Sequence, residues 1–364
     1  MKKIVAGFMA AGFLLYGLVG CTGKNVDEEK ETTQNMQETK VVTSDLADSS
    51  AAEENNEIKG DKKLSVIASI YPMADFADKI GGDFIDLKTL VPPGMDAHSW
   101  EPSARDIIAL NEADIFIYNG SGMEGWAERV IETVDNSNLI VVEASHELAV
   151  PFDEHEVEYI NSVDEHEHED IHEHEDVDGH EEAHHHHDHG DTDPHVWLDP
   201  ERAAQQMEVI AESFISADPG NKEVYEQNLS VMHEKLAALD EAYEEQLDDI
   251  KRREIVVSHA AFGYLCAAYD LQELSITGVS PDVEPSPEDM ANIVNIMREK
   301  NINTIFFETL ATPKVAEAIA AETGARVDTL NPIEGLTEEN IAAGDDYFSI
   351  MEKNLDALVK ALSH

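Results

Sequence analysis

Short apolar stretches alternate with helix-type segments along residues 63–150. Four stretches are rich in aliphatic residues, as is typical of strands buried inside a sheet. They are KLSVIASI (63–70), FIDLKTLV (84–91), DIFIYNG (114–120) and LIVVEA (139–144). Because strands that alternate with helices form parallel sheets, this half of the chain predicts a parallel α/β lobe.

A second strand–helix alternation begins after residue 250. Its strand candidates are EIVVS (254–258), LQELSITGV (271–279), TIFFETL (304–310) and ARVDTL (325–330). The segments between them include PEDMANIVNIMREKN and TPKVAEAIAAETG, which read as helices. The pattern therefore predicts a second α/β lobe of similar size.

One long helix is predicted between the two lobes, over residues 218–250. Asp218 and Pro219 form a suitable cap and first position for a helix. Apolar residues spaced by three and four then form a single stripe, made of Leu229, Met232, Leu236, Leu239, Tyr243, Leu247 and Ile250. A helix of this length spans roughly 46 Å, which favours a rod packed along both lobes.

Residues 153–193 interrupt the alternation with eighteen acidic residues, no lysine or arginine, and many histidines. Such a composition cannot bury a core, so it predicts a mobile surface loop. The predicted organisation is a signal peptide (1–20), a lipidated cysteine and disordered tether (21–62), an N-terminal lobe (63–217), the linking helix (218–250) and a C-terminal lobe (251–364).

The N-terminus has the features of a targeting segment. Lys2 and Lys3 precede an apolar stretch that ends in Leu18-Val19-Gly20-Cys21. A short apolar core followed by small residues fits a signal peptide better than a membrane span. The L-V-G-C ending resembles a bacterial lipobox, which implies lipidation of Cys21 and an extracytoplasmic, membrane-anchored location. Cys266, the other cysteine, lies in an apolar run and is predicted to pack as a small hydrophobe.

The net charge of −53 argues against nucleic-acid binding, because the phosphate backbone is itself anionic. Residues 22–61 and 153–193 contribute −7 and −18 of this charge. The remaining −28 is ordinary for a soluble protein of this size.

Four side chains are predicted to meet between the lobes. His98 follows the second strand, His195 lies in a loop beyond the fourth, His259 ends the strand EIVVS, and Glu334 follows ARVDTL. Ligands of open α/β sheets bind beyond the carboxyl ends of the strands, so closing two lobes would bring these residues together. Three imidazoles and a carboxylate form a tetrahedral set suited to zinc.

Nearby acids are candidates for supporting roles. Asp96, Asp193 and Asp199 are close enough in sequence to orient the ring nitrogens of the histidines. Glu101 is interpreted as a residue that orients the loop of His98.

The chain resembles the metal-binding lipoprotein components of bacterial ABC importers for zinc and manganese. The resemblance covers residues 63–364. The motifs that carry it are VIASIYPMADFADKIGGD, VPPGMDAHSWEPSARD, ADIFIYNGSGMEGW, DPHVWLDP, VVSHAAFGYLCAAYDL, GVSPDVEPSP and LNPIEGL. It implies two lobes joined by one long helix, with the metal between them.

The resemblance also implies ligands. His98 and His195 match the family's first two ligand positions. At the third position, manganese members resemble T-S-E and zinc members have a histidine, whereas this chain has Val257-Ser258-His259. Imidazole suits zinc better than manganese, so Zn²⁺ is expected rather than Mn²⁺.

The fourth ligand is less defined by the resemblance. Some zinc members read T-L-D-P where this chain has Thr329-Leu330-Asn331-Pro332. An amide is a poorer zinc ligand than a carboxylate, so Glu334 is preferred, with water or Asn331 as alternatives.

The histidine-rich loop is predicted to bind zinc weakly and not to form the transport site. Ordering such a segment costs roughly 1–2 kcal/mol per residue, which bound metal has to offset. The auxiliary histidines are His166, His168, His172, His174, His180, His184, His185, His186, His187 and His189. A solvated spacer with incidental metal affinity is the alternative.

The combined interpretation is a monomeric, lipid-anchored zinc receptor that delivers Zn²⁺ to an ABC permease driven by its ATPase, without catalysis. One alternative is a zinc-dependent hydrolase, which would need an open metal position and a general base. Another is a surface zinc buffer or adhesin that works without a transporter.

Overall fold

The computed structural model describes residues 62–150, 157–159, 192–278, 285–309 and 314–364. Two parallel α/β lobes are joined by one long helix, as the sequence pattern predicts. The predicted signal peptide, Cys21, the tether and the ten auxiliary histidines lie outside the described residues.

The first lobe contains a four-stranded parallel sheet in the order β2-β1-β3-β4. Its strands are β1 (Leu64–Ala68), β2 (Ile85–Thr89), β3 (Ile115–Tyr118) and β4 (Ile140–Glu143). Its helices are α1 (Tyr71–Gly81), α2 (Ala104–Glu112), α3 (Ala127–Ile131) and α4 (Pro200–Ala217). Short 3-10 turns occur at Gly82–Phe84 and Val196–Leu198.

This sheet is covered on both faces, which explains the nearly continuous apolar runs of its strands. On β1, Val66 and Ala68 belong to the main core, whereas Ile67 belongs to a smaller core on the opposite face. On β3, Ile117 and Phe116 are divided in the same way.

The second lobe contains two groups of parallel strands, ordered β5-β7-β6 and β8-β9, with β6 also contacting β8. The strands are β5 (Val157–Tyr159), β6 (Glu254–His259), β7 (Gln272–Thr277), β8 (Thr304–Phe307) and β9 (Arg326–Thr329). The helices are α6 (Gly263–Ala268), α7 (Pro287–Glu299), α8 (Lys314–Thr323), α9 (Glu338–Ala343) and α10 (Tyr347–Leu362).

The linking helix α5 spans Lys222–Asp248, about 40 Å at the usual rise per residue. The middle of its apolar stripe is buried, and the Tyr243 hydroxyl donates to the carbonyl of Met351 in α10 at 2.7 Å. The helix begins at Lys222 and not at Asp218, because Pro219–Asn221 form a 3-10 turn. Asp218 ends α4 and accepts a hydrogen bond from the Tyr225 hydroxyl at 3.1 Å.

Two parts of the predicted mobile surface loop over 153–193 belong to the folded lobes. Residues 157–159 form β5, which pairs in parallel with β7 of the second lobe. Valine and tyrosine favour strands, and a free sheet edge offers them backbone partners. At the other end, Asp193 is completely buried.

Candidate metal centre

His98 lies in a turn between β2 and α2. Asp96 organises this turn: its Oδ1 accepts the His98 N–H at 2.9 Å, and its Oδ2 accepts the Ser99 hydroxyl at 2.7 Å. Gly94 has a φ of +78°, a left-handed conformation that favours glycine. Its N–H donates to the carbonyl of Leu336 in the other lobe at 3.0 Å. This loop is therefore shaped mainly by local bonds.

His195 lies just before the 3-10 turn that leads into α4, and its side chain is fully buried. Asp193 Oδ1 accepts the His195 N–H at 2.9 Å and lies 2.8 Å from the ring Nδ1. Asn119 supports the same segment, because its amide donates to the carbonyl of Pro194 at 2.9 Å. Asp199 does not orient a ring, since it caps α4 by accepting the Glu201 N–H at 2.8 Å.

His259 is the last residue of β6 and is also fully buried. Its Nδ1 lies 2.5 Å from Oε1 of Glu308, the residue that follows β8. The Ser258 hydroxyl donates to the same carboxylate oxygen. A buried acid thus lies behind this imidazole, on the side away from the cleft.

Glu334 follows β9 in a tightly bonded loop. The amide of Asn331 is already engaged there, because its Oδ1 accepts the Ile333 N–H at 2.8 Å. Ile333 has a φ of +62°, which is rare for a β-branched residue and marks local backbone strain. The Trp197 indole N–H donates to the carbonyl of Pro332 at 2.7 Å. These constraints hold Glu334 in place from both lobes.

The four side chains converge. The Nε2 atoms of His98, His195 and His259 lie 3.5, 3.2 and 3.3 Å from Oε1 of Glu334. One ligand atom from each residue lies within 4.8 Å of all the others. Ligands about 2.0–2.1 Å from a tetrahedral zinc ion are separated by roughly 3.3 Å, which matches the three distances between imidazole and carboxylate.

A family model described as "Zinc-uptake complex component A periplasmic" (ZnuA) matches residues 66–361. The chain belongs to this family. It is 37% identical to the zinc-binding lipoprotein AdcA of Streptococcus pneumoniae over 84% of this chain, but spans only 57% of that relative's length. It is also 37% identical to the high-affinity zinc uptake system protein ZnuA of Bacillus subtilis, covering 84% of this chain and 89% of that protein.

Solved structures of ZnuA-like proteins have the same fold. The Zn(II)-bound ZnuA-like domain of S. pneumoniae AdcA matches with a TM-score of 0.67 and 33% identity, over 83% of this chain and all of that one. The laminin-binding protein Lmb of Streptococcus agalactiae, described as a bifunctional adhesin and metal transporter, matches with a TM-score of 0.67 and 29% identity. That match covers 82% of this chain and 99% of Lmb.

In this member of the ZnuA family, burial and neighbouring charges shift the pKa values of the centre in opposite directions. Burial alone would raise the pKa of Glu334, but hydrogen bonds from His195, His259 and His98 outweigh it and hold that pKa well below its usual value. Burial would lower the pKa of His195 and of His259. For His195, hydrogen bonds to Asp193 and Glu334 reverse the effect and raise the pKa. For His259, the charge and hydrogen bond of Glu308 raise it further.

The centre without metal therefore favours protonated rings at His195 and His259 beside an ionised Glu334. A divalent cation that binds here must displace those protons, and it then takes over the charge that they supplied.

The remaining candidates lie elsewhere or act differently. Glu101 is on the surface, where it pairs with Arg129 of α3 at 3.2 Å, and it is not part of the four-residue set. Cys266 is buried, which raises its pKa, as expected for a thiol packed in a core. Sequence reasoning missed Glu308. The predicted strand TIFFETL includes Glu308, whereas β8 ends at Phe307, and the pattern did not show that β8 lies beside β6.

Proposed function

We propose that this protein is an extracytoplasmic zinc receptor that captures Zn²⁺ and passes it to an ABC importer. The convergence of three imidazole nitrogens on one carboxylate oxygen carries the proposal. The zinc in the matching AdcA domain, and the zinc uptake named for the B. subtilis relative, support the same cargo.

Zinc is favoured over manganese by the donor atoms. Imidazole nitrogen suits zinc, whereas manganese prefers oxygen ligands. Glu334 is the proposed fourth ligand. Asn331 is a poorer candidate, because its side-chain oxygen already accepts a hydrogen bond from the backbone of its own loop.

We propose no catalytic activity. A catalytic zinc site keeps one position open for water and places a general base beside it. Here the carboxylate that would act as a base lies among all three imidazoles, and the side chains of His195 and His259 have no exposed surface. Four protein ligands would fill the coordination positions of a tetrahedral zinc ion, which argues against a hydrolytic water.

The proposed partners are a permease and its ATPase, with Cys21 as the lipid anchor. The AdcA relative is named a lipoprotein, and the L-V-G-C sequence of this chain supports the same anchoring. Within the ranges that the structure describes, no helix is both long and apolar enough to cross a membrane.

Adhesion is a second candidate function, favoured by the similarity to Lmb. Because a zinc receptor and an adhesin of this family share one fold, the fold does not separate them. Binding of the full chain to immobilised laminin, with and without zinc, addresses this alternative directly.

Two experiments test the main proposal. Competition titration of the chelator-stripped full chain should show one tight zinc site, which survives deletion of residues 160–190, a range that leaves β5 in place. Manganese should compete poorly, and His259→Glu should shift preference toward manganese. In the source bacterium, deletion of the gene should impair growth under zinc depletion, and the wild-type chain but not His195→Ala should restore it. Manganese binding as tight as zinc binding would refute the cargo assignment.

A further inference from the structure

Glu308 is a buried acid that the four-residue set does not include. It is the first residue after β8, at the carboxyl end of a strand that lies beside β6, and it is only 3% exposed. Its Oε1 atom contacts three groups of the neighbouring strand, namely the Ser258 hydroxyl, the His259 N–H at 3.3 Å and the His259 Nδ1 at 2.5 Å.

This contact bears on which ring nitrogen of His259 is available to a metal. A neutral imidazole carries one proton, on either Nδ1 or Nε2, and only the other nitrogen has a lone pair for a metal. A carboxylate can only accept a hydrogen bond, and its Oε1 lies 2.5 Å from Nδ1, so Glu308 favours the proton on Nδ1. The Nε2 lone pair then faces Glu334 and the other two imidazoles.

The other two histidines of the centre can be compared with His259. His195 has the same arrangement, with Asp193 2.8 Å from its Nδ1. His98 differs, because Asp96 accepts its backbone N–H and, among the described residues, no acid is seen against its Nδ1. Two of the three imidazoles are therefore supported from behind by a buried carboxylate, one from each lobe.

We propose that Glu308 is a positioning residue for zinc binding, which fixes the Nδ1–H tautomer and the ring orientation of His259. The inference rests on the proposed zinc site. Carboxylates that support metal-bound histidines typically contribute about 10–100-fold in metal affinity.

Affinity is the first readout, measured on the full chain with zinc in competition with a chelator. Glu308→Gln and Glu308→Ala should each weaken the tight site by about 10–100-fold. Asp75→Asn is the matched control, because the Asp75 side chain is only 9% exposed, but it pairs with Lys79 and Tyr71 away from the centre. Asp75→Asn should leave zinc affinity unchanged.

The tautomer is the second readout, and a merely structural role would not change it. In Co²⁺-loaded protein, the ring N–H protons of ligating histidines are shifted by the paramagnetic metal and appear separately in the proton NMR spectrum. Two slowly exchanging signals are expected in the wild type, from His195 and His259. Glu308→Ala should remove one of them, Asp193→Ala the other, and Asp75→Asn neither.

Glu308→Asp covers the case in which larger changes unfold the protein. It keeps the charge but withdraws the carboxylate, so the same N–H signal should exchange faster. Wild-type affinity in Glu308→Gln, or two protected signals in Glu308→Ala or Glu308→Asp, would overturn the inference. Failure of the wild-type chain to bind zinc tightly would instead overturn the proposed function.

Discussion

Two turns of the centre share one short motif and use it differently. Asp96-Ala97-His98 and Asp193-Pro194-His195 both place an aspartate two residues before a histidine. In both turns, the aspartate accepts the backbone N–H of the histidine at 2.9 Å. The local geometry of the motif is therefore the same in the two loops.

The surroundings of the two turns differ. Asp193 also contacts the His195 ring, and its carbonyl accepts the Tyr264 hydroxyl of α6 at 2.9 Å. Trp197, just beyond, donates to the loop of Glu334 and accepts the Tyr347 hydroxyl through its carbonyl at 2.7 Å. The second oxygen of Asp96 instead bonds Ser99 in its own turn. The turn of His195 is thus hydrogen-bonded to the opposite lobe, whereas the aspartate in the turn of His98 bonds within its own turn.

The largest expected effect comes from replacing His195 and His98 in turn. His195→Ala should abolish tight zinc binding, because it removes a fully buried candidate ligand whose place water cannot easily take. His98→Ala should leave weaker but measurable binding, because its side chain is 10% exposed and water can replace the imidazole. Chelator competition on the full chain measures both, and equal losses in the two variants would break the comparison.

The two aspartates offer a closer test. Asp193→Ala should lower zinc affinity by about 10–100-fold, because the ring of His195 loses the carboxylate behind it. Asp96→Ala should lower it less, since that side chain shapes a turn without touching the ring. Calorimetric titration with zinc compares the variants, and a greater loss in Asp96→Ala would reverse our interpretation of the two turns.

Trp197→Phe tests the connection between the lobes. The change leaves the buried carbonyl of Pro332 without its donor, which typically costs about 1–3 kcal/mol of unfolding free energy. Zinc affinity should fall as well, because Glu334 follows that carbonyl by two residues. Urea unfolding of the metal-free protein measures the first effect. Trp100→Phe, in the loop of His98, is the control and should cost less.

A smaller effect is expected from pH. Because the pKa values of His195 and His259 are raised, these imidazoles carry protons at pH values where ordinary histidine is already neutral. Zinc binding should therefore release protons even at pH 7. As the solution is acidified, zinc affinity should start to fall before the pH reaches about 6.5, the usual pKa of histidine. Calorimetry in buffers of different ionisation enthalpy counts the protons, and no release at pH 7 would contradict the assignment.

The shifted pKa values of His195, His259 and Glu334 also contribute to how the stability of the metal-free protein depends on pH. A raised histidine pKa contributes stability that is complete below about pH 6.5 and is lost as pH rises through the folded value. The lowered pKa of Glu334 contributes stability above about pH 4.5, which is lost as pH falls through its folded value. Metal-free protein should thus be most stable in mildly acidic solution. Thermal unfolding with and without zinc tests this, because zinc should move the optimum upward.

The sequence alone determined the parts of this protein that depend on local pattern. The apolar runs predicted eight strands, which the structure contains as β1 to β4 and β6 to β9. They could be predicted because a strand buried on both faces needs apolar side chains throughout. The carboxyl ends of those strands also indicated His98, His259 and Glu334, since ligands bind at that edge of a parallel sheet.

Only the tertiary structure decided which groups support the candidate ligands. Asp96, Asp193 and Asp199 looked equivalent in sequence, yet only Asp193 reaches a ring, because reach depends on how the loop packs against α6. Glu308 is 49 residues from His259 and contacts it only because β8 lies beside β6. Pairing between distant strands leaves no local signal in either strand. The candidate ligands could therefore be named from the sequence, whereas the carboxylates that lie against their rings could be found only from the fold.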